Sequence, residues 1–260
     1  MNIVVLLKQV PATESHIGIS ENGRSVQTDN VKWVINPYDE LAVEEALRIR
    51  EDKGGTVTII SIGPDRAAES IRTALAMGAD KGILINDPVA ETCDGLGIAR
   101  ILATVLSAVA FDLIIAGQRS VDDENYMTGP AVAELLDIPS LSQVFQQETS
   151  GTSIRCHCSV DGGSVVMEAP LPALITTQRG LNEPRYASLP GIMKAKRKPI
   201  DVKSLADIGL DAESLGASRC PVTAFNFPPE RSACKMLQAD TPQATAAELV
   251  QALQNDAKVL

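Results

Sequence analysis

The sequence predicts an α/β protein: a doubly wound, mostly parallel sheet with helices on both faces, added antiparallel strands and an extended C-terminal arm. Three observations carry that expectation. Short apolar runs near 2–8, 56–62, 81–85 and 113–116 alternate with stretches of helical periodicity, and strands apolar on both faces belong in parallel sheets covered by right-handed crossovers. After Leu136 candidate strands follow one another at 141–147, 152–160 and 164–169, with Asp161-Gly162-Gly163 as a hairpin turn. Beyond about residue 205 strand signal thins and Pro221, Pro228 and Pro229 appear, followed by an amphipathic helix over Ala244–Leu253. We therefore divide the chain into 1–205, an α/β domain, and 206–260, an arm that docks on something else.

Taken in order, Asn2–Lys8 is the first strand, and residues 9–33 are an excursion with a turn at Glu21-Asn22-Gly23-Arg24. Asn36-Pro37-Tyr38-Asp39-Glu40 opens a helix, with Asn36 as cap, Pro37 as first helical residue and Asp39 as the reciprocal acid. Thr56–Ile62 is β-branched and ends at Gly63-Pro64, and the next helix stops at Gly78. Lys81–Ile85 is the third strand, Ile98–Val109 a helix, and Leu113–Ala116 the fourth strand. Pro172–Thr177 is a further buried strand that returns to the parallel core.

Composition limits the function. With 33 acids against 23 bases the net charge is −10, so neither nucleic acid nor insertion into or binding to an anionic membrane is expected. The apolar N-terminus is too short for a signal peptide and no run spans a bilayer, which makes the cytoplasm the default location. Five scattered cysteines fit a reducing compartment. Cys156-His157-Cys158 offers no metal site, because on a strand the thiols share one face, His157 points to the other, and no second Cys/His pair exists. Asp94-Gly95-Leu96-Gly97 fails as a dinucleotide fingerprint, since Arg100 stands where the third glycine belongs.

Two stretches stand out. The fourth strand breaks into Gly117, Gln118, Arg119, Ser120, Val121, Asp122, Asp123, Glu124, Asn125, Tyr126, Met127, Thr128 and reopens as a helix at Gly129-Pro130. That layout places a polar loop at the carboxyl end of a parallel strand, where Thr128 and the first free amides of a helix suit a phosphate. Residues 181–203 carry six bases against two acids inside an acidic chain, beside the apolar Leu189 and Ile192-Met193. Such a reversal of sign either steers an acidic partner that the apolar residues anchor or belongs to a solvated basic helix. A freestanding adenine-nucleotide enzyme using Asp122, Asp123 and Glu124 with Mg²⁺ is a competing reading, but no phosphate-clamping lysine motif is present.

Asn182-Glu183-Pro184-Arg185-Tyr186-Ala187 followed by Leu189-Pro190-Gly191-Ile192-Met193-Lys194-Ala195-Lys196 resembles the signature of the electron-transfer flavoprotein β subunit. Co-linear matches at Val4–Lys8, Asn36-Pro37, Ala42–Ala46, Ile71–Asp80, Asp122-Asp123 and Thr128-Gly129 extend the resemblance over most of the chain. It implies an electron-carrier subunit rather than an enzyme, paired with an α subunit that holds the redox FAD, and a structural AMP in this subunit. By that resemblance AMP lies against Leu6, Asn36, Pro37, Tyr38, Asp39, Ile62 and the loop 117–128. Leu189 is then the anchor inserted into an acyl-CoA or other flavin dehydrogenase, supported by Ile192, Met193, Lys194, Lys196, Arg197 and Lys198. Electrons pass on to an acceptor such as a quinone oxidoreductase, and the C-terminal arm wraps around α. Tyr126-Met127 departs from the Asn-Gln of many AMP-type members, and the alternative the resemblance leaves is an electron-bifurcating β subunit, which binds a second FAD in this pocket and oxidises NADH. Asp123-Glu124 does not resemble the small residues of the bifurcating loop, so AMP is the expected occupant.

Overall fold

The computed structural model describes residues 1–231 and 233–260, in two units, Met1–Thr223 and Ala224–Leu260. In the first unit β1 (Asn2–Leu6) leads into an excursion of two small ladders. One pairs β2 (Gln9–Pro11) with β5 (Trp33–Ile35), and the other pairs β3 (Gly18–Ile19) with β4 (Val26–Gln27) across the expected turn. The alternating core follows as α1 (Pro37–Lys53), β6 (Thr56–Ile62), α2 (Ala67–Met77), β7 (Lys81–Ile85), α3 (Gly95–Ser107), β8 (Leu113–Gly117) and α4 (Thr128–Leu135). Then come β9 (Ser140–Thr149), β10 (Ser153–Val160), β11 (Gly163–Pro170) and β12 (Ala173–Thr177), and finally α5 (Leu189–Ala195), β13 (Ile200–Lys203) and α6 (Ala212–Leu215).

Among the described residues these strands build a nine-stranded sheet in the order β11-β10-β9-β12-β8-β1-β6-β7-β13. The run from β9 to β13 is parallel throughout, and β10 and β11 add the antiparallel edge. Successive residues of the central strands face opposite layers. Ile3, Val5, Ile59 and Ile115 pack under Ala46, Leu47, Ile71 and Leu75 of α1 and α2. Val4, Leu6, Ile60 and Ile114 pack under Ile101, Leu102 and Val132 of α3 and α4. Burying an aliphatic side chain of this size contributes about 1.5–3 kcal/mol, so both layers are held by the same uninterrupted apolar runs visible in the sequence.

Three local findings differ from the sequence expectation. α3 begins at Gly95 rather than Ile98, because Asp94 caps it by accepting the Gly97 amide at 2.9 Å. β13 was not expected; it adds to β7 within the basic stretch, where Pro199 and alternating charges hide an edge strand. The Asn36/Asp39 capping pair does not form, since Asp39 takes the amides at the ends of β1 and β8 and Asn36 bonds to the loop after β8 instead.

Cys156 and Cys158 are buried on one face of β10, and His157 meets Phe145 edge-on at 6.1 Å. In the second unit α7 (Pro242–Asn255) is capped by Thr241, whose hydroxyl accepts the Ala244 amide at 3.2 Å. Its Leu249 and Val250 are exposed. No helix among the described residues is long and apolar enough to cross a membrane.

Candidate functional site

From β1 the chain winds outward through β6 and β7, then returns through α3 to β8 on the other side of β1, and continues toward β12 and β9. That reversal makes a crevice beyond the carboxyl ends of β1 and β8, the place where open parallel sheets hold ligands. Every residue of the loop 117–128 follows directly from β8, and the first turn of α1 meets it there.

The first turn of α1 is fastened to three strand ends. Asp39, 5% exposed, accepts the Lys8 amide at 2.7 Å beyond β1 and the Gly117 amide at 3.0 Å at the end of β8. The carbonyl of Tyr38 accepts the Thr177 hydroxyl at 2.7 Å, at the end of β12. Asn36, almost fully buried, donates to the Arg119 carbonyl at 2.8 Å and accepts the Val121 amide at 3.2 Å. Burial pushes the Asp39 carboxyl up to about 7, against the opposing pull of the Lys8 amide, Asn36, the Gly117 amide and the Lys8 charge. Any side chain at Gly117 would overlap the Asp39 carboxylate and the Cβ of Tyr38, so only glycine admits this approach of helix to strand.

Farther out, the loop folds around two cations. Lys8 Nζ lies 2.8 Å from Asp122 and 3.3 Å from both Asp123 and Ser120. The Arg119 guanidinium sits between two tyrosines, 5.1 Å from the ring centre of Tyr38 and 5.4 Å from that of Tyr126, and donates to both hydroxyls. Glu124 pairs with it at 3.0 Å. Asn125 accepts the Met127 amide at 3.1 Å, while Glu124 and Tyr126 adopt φ of 48° and 58°, a left-handed conformation that L side chains occupy at a cost. Leu6 is buried and Ile62 half-buried on the apolar side. A groove of about 190 Å³, lined mainly by residues 11–14, Val34 and Ile35 of the excursion, touches this set only at Pro37 and Val121.

Two polar atoms here lack partners. Gln118 is 7% exposed and donates to Gln178 at 3.2 Å, yet its Oε1 accepts nothing, and the buried Nε of Arg119 donates to nothing. Buried groups of this kind are uncommon, and a bound molecule is one thing that satisfies them. Lys8 was absent from the sequence-derived set, because a lysine closing an apolar strand reads as its solvent-exposed end.

The second stretch lies elsewhere on the unit. Ser188 caps α5 by accepting the Gly191 amide at 3.1 Å. Tyr186 is 99% exposed and Leu189 79%, with Met193 and Ile192 also outward. Behind them the segment is tied down at both ends. Asn182 donates to the Leu41 carbonyl and Glu45, Arg185 joins Glu44 and Glu51, and Arg72 donates to the carbonyls of Ala195 and Lys198. Lys198 points inward to the Ala79 carbonyl, whereas Lys194, Lys196 and Arg197 are exposed and, among the described residues, form no ion pair. The crevice and this tip share no side chain, but both are built on α1.

Comparison with known proteins accords with this arrangement. A family model described as the electron transfer flavoprotein domain matches residues 24–208. The chain is 42% identical to the electron transfer flavoprotein subunit beta of Bacillus subtilis and 40% identical to that of Bradyrhizobium diazoefficiens, in each case over all of both chains. It is 39% identical to the Homo sapiens subunit of the same name, over 90% of this chain and 91% of that one.

Proposed function

The chain belongs to the electron transfer flavoprotein β-subunit family, and from that premise we propose that its crevice holds AMP for architecture while the loop 181–199 docks electron donors. As a member it is a subunit of an electron carrier, and the β designation of its relatives implies an α partner. The redox FAD belongs mainly to α in this reading, and the part of the arm 206–260 beyond Thr223 packs on α, since Leu215 is buried in this chain's own core. Donors are acyl-CoA or other flavin dehydrogenases, and the acceptor is a quinone oxidoreductase or its equivalent.

The observation that carries the AMP reading is a loop at the switch point that begins with unpartnered buried polar atoms, at Gln118 and Arg119, and ends in a helix start. The donor set fits an adenylate. Thr128 and Gly129, in the first turn of α4, have amides with no intrahelical carbonyl to receive them, and the helix dipole favours an anion there. Lys8 and Arg119 are already paired with Asp122, Asp123 and Glu124, so the phosphate is left to the helix amides, and the idle Oε1 of Gln118 is an acceptor of the kind an exocyclic amine satisfies. Leu6, Ile62 and Pro37 supply apolar surface for a base. Tyr126, which replaces a polar residue of other members, braces Arg119 instead. AMP brings no redox chemistry, so this chain's residues bind and orient and do not transfer electrons themselves.

The test is a mass spectrum of the nucleotides released by denaturing the purified αβ heterodimer. One AMP and one FAD per heterodimer is the expected result. A second FAD in place of AMP would assign the chain to the bifurcating type, and absence of any adenylate beyond the single FAD would refute the reading.

A further inference from the structure

We propose that Glu44 is the positioning residue of the docking loop: from its buried place on α1 it takes up Arg185 and so holds Tyr186 and Leu189 out as a preformed pair of apolar anchors. The inference rests on the reading that residues 181–199 dock a dehydrogenase.

The geometry is that of a rivet. Glu44 is 3% exposed, and both of its oxygens are engaged. Oε2 accepts the Arg185 backbone amide at 3.2 Å and its Nε at 2.8 Å, while Oε1 accepts another guanidinium nitrogen of Arg185 at 3.1 Å and Arg48 at 2.8 Å. Glu51, two turns on along the same face of the helix, takes the remaining side of the guanidinium. A two-pronged arginine–carboxylate pair fixes direction as well as distance. Because the backbone amide of Arg185 is held too, the chain's course is set at the residue before Tyr186. Burial alone would raise the Glu44 carboxyl, but the guanidiniums of Arg185 and Arg48 outweigh it and keep the group below the usual carboxylate range, hence charged.

Charge sorts itself accordingly. Arg185 is neutralised by two acids and Lys198 is turned to a carbonyl, so the cations left to meet a partner are Lys194, Lys196 and Arg197. The partner that fits has an apolar socket deep enough for Leu189 and a tyrosine ring, rimmed by acidic side chains. A loop already ordered loses less conformational freedom on docking than a loose one, and that saving appears as affinity.

The experiment uses the αβ heterodimer as electron acceptor of a flavin dehydrogenase, comparing Glu44→Gln, Glu44→Asp, Glu51→Gln and Leu189→Ala with the unaltered protein. Glu44→Gln is expected to raise the KM for the heterodimer about tenfold with kcat and the flavin spectrum unchanged, and to speed tryptic cleavage after Arg185. Glu44→Asp restores part of both. Glu51→Gln, which alters only the exposed half of the clamp, raises KM less, and it decides the matter if Glu44→Gln fails to assemble. If Leu189→Ala raises KM but neither glutamate variant does, the positioning role is overturned while docking stands. If Leu189→Ala leaves KM unchanged, docking by this loop falls, and the glutamate role with it.

Discussion

The two ends of the recognised chemistry use helix α1 in opposite ways. At its first turn the helix presents buried polar groups inward, and Asn36 and Asp39 hold the ends of β1 and β8 and the loop after it. Two turns on, Glu44 and Glu45 are just as buried but grip a loop whose tip is left bare. In the crevice polar atoms surround a space, and the chemistry faces in. On the docking loop every polar tie lies behind the tip, and the apolar residues face out. One helix thereby holds both regions, with Arg72 of α2 securing the far end of the second.

That contrast can be broken from either side. The largest effect is expected from Gly117→Ala, which forces a methyl group into the Asp39 carboxylate and Tyr38. Overpacking of this kind costs about 1–3 kcal/mol, read as a lowered denaturation midpoint, while the donor KM stays as it was. Asp39→Asn comes next. An amide donor would then face one of two backbone amides that now share the carboxylate, at a cost of about 1–3 kcal/mol.

The same residue sets a pH dependence. Because burial lifts its carboxyl to about 7, the folded chain keeps a proton that the unfolded chain gives up near its ordinary value of about 4. Stability from this group is therefore full below about 4 and falls as pH rises through about 7. Urea midpoints measured between pH 5 and 7.5 should fall in the unaltered protein and lose that slope in Asp39→Asn; an unchanged slope would contradict the assignment. The smallest effect on stability belongs to Leu189→Ala. At 79% exposure its loss should move stability by less than about 0.5 kcal/mol while weakening electron transfer from the donor.

The parallel core was legible because strands buried on both faces leave unbroken apolar runs: Thr56–Ile62 and Lys81–Ile85 fall where the sequence puts them. The crevice was legible as a loop after a strand, since topology alone sends such loops to one edge. What the sequence hid were the long-range partners of polar side chains. Asn36 and Asp39 have the spacing of a cap, yet their partners lie 78 to 85 positions away in the loop after β8, and 31 away at Lys8. Nothing local to Glu44 or Arg185 marks them as partners, and the fold brings them together across 141 positions, as it brings Glu45 to Asn182 across 137. β13 was missed for a related reason, as a short edge strand carries charges where a central one carries none.

The most direct test of the proposal that the crevice holds an adenylate is the ratio of AMP to flavin in the purified Gly117→Ala heterodimer. Closing the approach of α1 to β8 should empty the crevice, giving a complex that keeps one FAD and loses most of its AMP. AMP retained at one per flavin, in a variant whose stability has dropped, would contradict the placement.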